Sequence, residues 1–252
     1  MINTLNESSL HKTLKTLYSL EKDTKTEEKI GQWICDIVKK NGEIIEIQTA
    51  NVSSLRVKIE DLLSAERKVT VVHPVAVCKT IETYAKDGRL LSKRKSPKKE
   101  TVYSIFRQIT GLYPLLLHNN FSLEIPEIAV TEFRIKTENP VQLQNKSRRF
   151  LRNWIKTDKK LSEILTTRRF KTAGDYLQLL PQFTSGETAF RNDFTTKETA
   201  ALIRETYSAG AAQFTSCMFW VLKKMNLIEV LYKKGNEVHY KISDLYYLNF
   251  QD

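Results

Sequence analysis

Apolar positions recur along the first 140 residues with two different periods. Over residues 5–18, Leu10, Leu14 and Leu17 fall at i, i+4 and i+7, the stripe of an amphipathic helix. Residues 20–30 are polar and charged, a loop or a short edge element. Two compact apolar runs follow, Trp33-Ile34-Cys35-Asp36-Ile37-Val38 and Ile44-Ile45-Glu46-Ile47-Gln48, with Lys40-Asn41-Gly42 between them. Such runs across Asn-Gly predict adjacent antiparallel strands, apolar on both faces and therefore buried. Ser53 and Ser54 can cap a helix reaching about Ala65, with Leu55, Ile59, Leu62 and Leu63 inward. Val69 to Val75 reads as a β-branched strand ended by Pro74. A helix between the strands 43–48 and 69–73 implies a crossover, and so a parallel pairing within a mixed sheet. Residues 79–95 predict a hairpin with Lys86-Asp87-Gly88-Arg89 at its tip. A helix through Val102, Ile105, Phe106 and Ile109 comes next, then an extended segment over 121–136.

Beyond Asn139-Pro140 the pattern changes. Residues 146–180 predict two helices, the second capped at Thr172 and stopped at Pro181. A polar linker, Thr184 to Asn192, precedes a compact unit. Thr195 and Glu198 form a capping-box pair ahead of Ala200-Ala201-Leu202-Ile203. A turn near Ser208-Ala209-Gly210 leads to a helix with Phe214, Met218, Val221, Leu222 and Met225. Strands 228–231 and 238–242 then close on Lys233-Lys234-Gly235-Asn236. Helix, turn, helix and two-stranded wing resemble the winged-helix pattern. Its second helix carries no arginine at its start and is rich in Phe214, Phe219 and Trp220. It suits packing against the rest of the chain as well as it suits DNA. The expected organisation is a mixed-sheet domain over 1–138, a helical connector over 139–183 and a winged helix over 184–252.

With 41% hydrophobic and 10% aromatic residues the chain can bury a proper core, and its net charge of +11 points to a polyanionic partner. Nucleic acid comes first and an anionic membrane second. No run approaches the roughly 20 apolar residues that span a bilayer, and the first residues lack a basic segment followed by an apolar stretch. Cys35, Cys78 and Cys217 are too scattered for a disulfide framework or a zinc site. A reducing cytoplasm is the expected location. Basic residues cluster at Arg89, Lys93, Arg94, Lys95, Lys98 and Lys99, and again at Lys146, Arg148, Arg149, Arg152 and Lys156 around Trp154. Histidines are dispersed, and no nucleophile elbow or Gly-rich phosphate loop occurs.

Two carboxylates stand out. Asp36 and Glu46 interrupt strands that are otherwise apolar, where an unpaired charge is costly. A divalent cation is the usual reason to keep such a pair. Their geometry depends on the turn. A two-residue turn at Asn41-Gly42 sends them to opposite sheet faces; a three-residue loop, with Gly42 left-handed, sets Lys39 against Glu43 and Asp36 against Glu46. The bulged turn is the expected one, and only that register brings the carboxylates together.

Asp36-x9-Glu46-x-Gln48, with an amphipathic helix before and a helix then a strand after, resembles the PD-(D/E)XK nuclease family over residues 5–76. The resemblance implies a restriction-endonuclease-like α/β fold, a mixed sheet flanked by helices, here followed by the mainly helical region and the winged helix. It implies that Asp36, Glu46 and the Ile47 carbonyl hold Mg²⁺ or Mn²⁺. Gln48 stands where the family usually has lysine, and Cys35 where it has proline. Gln48 would orient the attacking water, with Lys58 ahead of Arg56 as the replacement cation and Glu7 as an additional acid. The implied activity is metal-dependent DNA cleavage by a homodimer, in restriction, defence or repair, with RNA as second substrate candidate. Arg56, Lys93, Arg94, Lys95, Lys98, Lys99, Arg148, Arg149, Lys233 and Lys234 would contact phosphates. Two other readings are a nucleic-acid-binding regulator on the same fold without catalysis, and a protein-interaction module.

Overall fold

Leu10 and Leu14 are buried on the first helix, but the third member of the stripe is Tyr18, one full turn further on, while Leu17 is 41% exposed. The computed structural model describes residues 8–142, 150–184 and 193–244. It opens with this helix, α1 (Ser9–Tyr18), whose N-cap Ser8 accepts the His11 N–H. Asp158 reinforces that end by accepting from Ser9 N at 3.1 Å and Ser9 Oγ at 2.5 Å.

β1 (Lys25–Ile30) arises from the polar stretch as an edge strand and pairs antiparallel with β2 (Trp33–Val38), which pairs antiparallel with β3 (Ile44–Ile47). A 3₁₀ turn over Val52–Leu55 leads into α2 (Arg56–Ser64). Ser53 and Ser54 do not cap that helix. Ser53 Oγ donates to the Gln108 carbonyl and Ser54 Oγ to the Asn51 carbonyl. β4 (Val69–Val72) then returns parallel to β3, as the crossover requires. β5 (Val75–Tyr84) and β6 (Leu90–Lys95) form the expected hairpin. The helix through 102–109 is only one turn of α-helix, α3 (Ile105–Gln108), between two 3₁₀ turns. β7 (Phe121–Gln142) is 22 residues long and runs through Asn139-Pro140.

The largest departure from expectation is β8 (Leu151–Phe170), a 20-residue strand where the sequence predicts helix. Leu161, Ile164 and Leu165 have helical spacing, yet β7 offers a free edge along its whole length and β8 fills it from Leu123↔Phe170 to Gln142↔Leu151. A ladder of that length outweighs local spacing, and register shifts absorb the misfit, leaving Ile164 and Leu165 exposed. The described part of the region is therefore not a pair of helices; among the described residues from 150 to 184 only α4 (Ala173–Leu177), with its Thr172/Asp175 capping box, and α5 (Pro181–Thr184) are helical.

Because β4 and β5 pair in parallel with successive stretches of β7 while β8 holds the other edge, they form one lane broken at His73-Pro74. β3 lies outside β4, and β6 lies outside β5 further along the same direction. On one face of this eight-stranded mixed sheet, α1 packs Leu10 and Leu14 against Ile45, Ile47, Val72 and Ile128. On the other face, α2, α3 and α4 cover Ile44, Val69 and Val71. No described helix is long and apolar enough to cross a membrane.

The remaining chain forms β9 (Phe194–Thr195), α6 (Thr196–Thr206), α7 (Ala209–Ala212), α8 (Thr215–Lys224), β10 (Ile228–Lys234) and β11 (Glu237–Ile242), with a three-stranded sheet ordered β10-β11-β9. The Thr195/Glu198 capping box is present. α8 buries Met218, Phe219, Val221 and Leu222 in the same continuous core as Phe106 and Tyr176. Its flanks make two further contacts. Cys217 Sγ donates to the Phe106 carbonyl, and Trp220 meets Tyr113 edge to face. One side of this helix is buried, while Ser216, Trp220, Lys223 and Lys224 stay exposed on the other.

Candidate functional site

The turn after β2 has the bulged geometry. Lys39 N donates to the Glu43 carbonyl at 2.9 Å, Gly42 N donates to the Lys39 carbonyl at 2.9 Å, and Gly42 has φ +83°. The ladder runs Val38↔Ile44 and Ile37↔Ile45 and stops there, one step before Asp36 and Glu46. There the backbone ladder opens and side chains take over. Asp36 Oδ2 accepts the Ile47 N–H at 2.9 Å, and Glu46 Oε1 accepts the Asp36 N–H at 3.3 Å. Both carboxylates thus reach into the seam between β2 and β3, each satisfying the other strand's backbone.

Their outer partners come from opposite faces of the sheet. On the α1 side, Lys15 Nζ lies 3.6 Å from Asp36 Oδ1 and His11 Nε2 lies 3.7 Å from Asp36 Oδ2. His11 Nε2 is also 2.9 Å from the Ile47 carbonyl oxygen. A carbonyl only accepts, so Nε2 carries the proton. On the α2 side, Lys58 Nζ sits 2.6 Å from Glu46 Oε2 and 2.6 Å from the Ile34 carbonyl. The register predicts a carboxylate pair sharing one face. The structure departs from this: beyond Ile37↔Ile45 the ladder stops, and Asp36 turns toward α1 while Glu46 turns toward α2, which counts against a single ion held by both on one face.

The two acids are tuned in opposite directions. Burial pushes the Asp36 carboxyl up, but the His11 and Ile47 hydrogen bonds and the charges of His11 and Lys15 outweigh it and hold it below the usual range. Glu46 is 3% exposed; burial raises its carboxyl, the Lys58 charge opposes this, and repulsion from Asp36 adds to the rise, for a net upward shift. Cys35 shares the Glu46 environment, and its thiol is pushed up to about 11, first by burial and then by Glu46.

Asp36, Glu46 and the Ile47 carbonyl present hard oxygen donors, the type that Mg²⁺ or Mn²⁺ takes. Asp36 Oδ1 and Glu46 Oε1 carry the loosest contacts, at 3.6 and 3.3 Å, and are the oxygens most open to an ion. Among the described residues no group of three or more His, Cys, Asp or Glu side chains is arranged to hold a metal. A site here has two carboxylates and leaves its other positions to a carbonyl, water and phosphate.

Of the other predicted residues, Lys58 is brought to Glu46, whereas Arg56 pairs with Glu60 along α2 at 2.8 Å and stays away. Gln48 Nε2 lies 3.4 Å from both the Asn51 carbonyl and Ser54 Oγ, and the Gln48 carbonyl receives the His73 ring at 2.6 Å. Lys93, Arg94 and Lys95 are exposed on β6. Glu46 pairs with Val71 and Lys95 with Thr80, nine positions further along the β4/β5 lane. At ~3.3 Å per residue this puts the cluster about 30 Å from the carboxylates rather than beside them. Lys98 and Lys99 are exposed and line a cavity of about 500 Å³ with Arg168 and Tyr207. Lys233 and Lys234 are exposed at the β10 end. Glu7, Lys146, Arg148 and Arg149 lie outside the described residues. His11 and Lys15 are the site residues that sequence reasoning missed. Their signal is faint: two basic side chains one turn apart, each following a member of the Leu10/Leu14 stripe.

The chain belongs to the family described as a domain of unknown function, DUF8091, whose model matches residues 8–171. That interval runs from the α1 N-cap to the residue after β8 and so takes in the whole eight-stranded sheet and the Asp36/Glu46 seam. An uncharacterized protein of Treponema pallidum (strain Nichols) is 32% identical over 179 residues, covering 71% of this chain and 68% of that protein. No solved structure matches.

Proposed function

We propose that this chain is a metal-dependent DNA endonuclease on the PD-(D/E)XK plan, with a winged-helix-like unit at residues 194–242. Three features support the reading: the order α1-β1-β2-β3-α2-β4, Asp36 and Glu46 joined across β2 and β3 through backbone N–H groups, and Lys58 delivered by α2 to Glu46. The observation that carries it is the seam itself. Two carboxylates meet where a buried ladder opens, an arrangement that costs folding energy even though each accepts a backbone N–H of the other strand.

Asp36, Glu46 and the Ile47 carbonyl would hold Mg²⁺ or Mn²⁺. The bound ion supplies Lewis-acid polarisation of the scissile phosphate and of water. The chain's own residues do the rest. Lys58 offers a positive charge beside Glu46 to offset charge gathering on the phosphorane oxygens. Gln48 has no charge and no basic nitrogen, so its amide orients water by hydrogen bonding. His11 fixes the Ile47 carbonyl, and Lys15 holds Asp36 ionised. Hydrolysis adds water across one P–O bond and releases the 3′ or 5′ oxygen as a hydroxyl.

One observation favours a second reading, DNA binding without cleavage. Lys58 and His11 already satisfy Glu46 Oε2 and the Ile47 carbonyl, and Gln48 replaces the family's usual cation. Incubation with supercoiled plasmid and Mg²⁺ or Mn²⁺, beside Asp36→Ala and Glu46→Ala, separates the two. Nicking that needs the metal and both acids is the expected result. Cleavage surviving both substitutions refutes the assigned site, and metal-independent binding without cleavage selects the second reading.

A further inference from the structure

β5 makes its last pair with β7 at Tyr84↔Ile135. From Lys136 onward β7 pairs with β8 alone, so the two strands run on past the sheet as a two-stranded ribbon, with the β5–β6 turn beside its base through Lys86–Glu138 at 2.8 Å. The pairs Arg134↔Lys156, Ile135↔Ile155 and Lys136↔Trp154 are in one unbroken register. Opposed and alternate residues of an antiparallel pair point to the same side, so Arg134, Lys136, Trp154 and Lys156 share one face, and Arg152 follows two residues along. The Arg134 guanidinium stacks over Trp154 at 3.5 Å and that of Arg152 over Phe150 at 4.1 Å. Lys136, Arg152 and Lys156 are exposed, and none makes an ion pair with a described residue. Like charges placed directly opposite, as Arg134 and Lys156 are, destabilise a strand pair. Glu132 offsets part of this through its ion pair with Arg134 and its attraction to Lys156.

We propose that this ribbon grips duplex DNA in the major groove, with Lys136, Arg152 and Lys156 on phosphates and Trp154 holding Arg134 flat beneath them. The inference rests on the nucleic-acid reading above and adds the surface and the kind of duplex. The B-form major groove is wide enough for a two-stranded β-ribbon. The deep, narrow major groove of A-form RNA is not, which selects DNA as the partner. A solvated cationic strand pair has no need of stacked guanidiniums, whereas a planar cation held rigid on a ring is preorganised for phosphate or guanine.

The test is fluorescence anisotropy of the full chain with a 24-base-pair DNA duplex in EDTA, so that cleavage plays no part. The triple variant Lys136→Ala, Arg152→Ala, Lys156→Ala and its conservative counterpart Lys136→Arg, Arg152→Lys, Lys156→Arg are compared with the parent. Three lost phosphate contacts lower the slope of log K against log salt by about 2.7 and weaken binding on the order of a hundredfold at 0.15 M salt. The conservative variant retains binding, and an RNA duplex of the same length binds the parent more weakly. Parent and triple variant binding DNA alike, with the same salt slope, overturns the ribbon and leaves the endonuclease reading standing. A parent that binds no DNA even at low salt removes that reading and the ribbon with it.

Discussion

Replacing Lys58 by methionine keeps the packing of its alkyl stem and removes one charge. In the folded state this strands Glu46, whose side chain is 4% exposed beside a Lys58 side chain that is 11% exposed, at an Nζ–Oε2 distance of 2.6 Å. At an effective dielectric constant near 20 the gross attraction at that distance is about 6 kcal/mol. Desolvation of both groups already offsets part of it, and removing one partner of a buried pair costs about 3–5 kcal/mol. Protonation sets the ceiling. The Glu46 carboxyl is raised in the folded state even with Lys58 present, first by burial, and it rises further without the ammonium. For an acid raised on folding, the folded state holds its proton where the unfolded state has lost it. Stability is then fullest below the ordinary carboxylate value and falls as pH climbs through the folded value. Urea titrations of Lys58→Met should show a loss of about 3 kcal/mol at pH 8, shrinking toward pH 5. Adding Glu46→Gln should recover much of it at pH 8, because no buried charge is left. A variant within 1 kcal/mol of the parent at pH 8, or a loss independent of pH, would refute the pairing as the reason the buried acid is tolerated.

Other outcomes follow from the same contacts. Asp36 is held below the usual carboxylate range, so its stabilising effect is present above its ordinary value near 3.8 and is lost as pH falls through that region; acid unfolding of Asp36→Asn should be correspondingly flatter. Asp158→Ala removes the acceptor of both Ser9 donors at the start of α1 and should cost about 1 kcal/mol in urea denaturation; no measurable loss would show the contact to be idle. Gly42→Ala places a Cβ at φ +83° and should cost about 1 kcal/mol, read as a lower Tm. A thiol reagent at pH 8 should leave buried Cys35 unmodified in the native protein, since its thiol is pushed up to about 11; labelling of Cys35 without unfolding would contradict its burial.

Much of the sheet follows from local sequence. The Lys40-Asn41-Gly42 turn admits only a few geometries, and the burial of Ile37, Ile45 and Ile47 favours one of them, so the Val38↔Ile44 and Ile37↔Ile45 register is readable from this short stretch alone. The crossover through α2, the β5–β6 hairpin and the Thr195/Glu198 cap are equally local, set by period, turn chemistry and capping. Three things belong to the tertiary structure. The long partner of β7 is one, since residues 151–170 have a mixed pattern and become a strand only because a 22-residue edge is waiting for them. The direction of the two carboxylates is another. Alternation along β2 and β3 puts them together, but His11 and Lys15 on one face and Lys58 on the other compete for them, and those helices arrive from sequence positions that no local rule relates to the strands. The place of the basic residues is the third. Charge can be counted along a chain, but whether Lys93–Lys95 lie beside the acids or about 30 Å away, and Lys136 and its β8 neighbours further still, depends on which lanes the strands occupy, and hydrogen bonding between distant segments fixes those lanes.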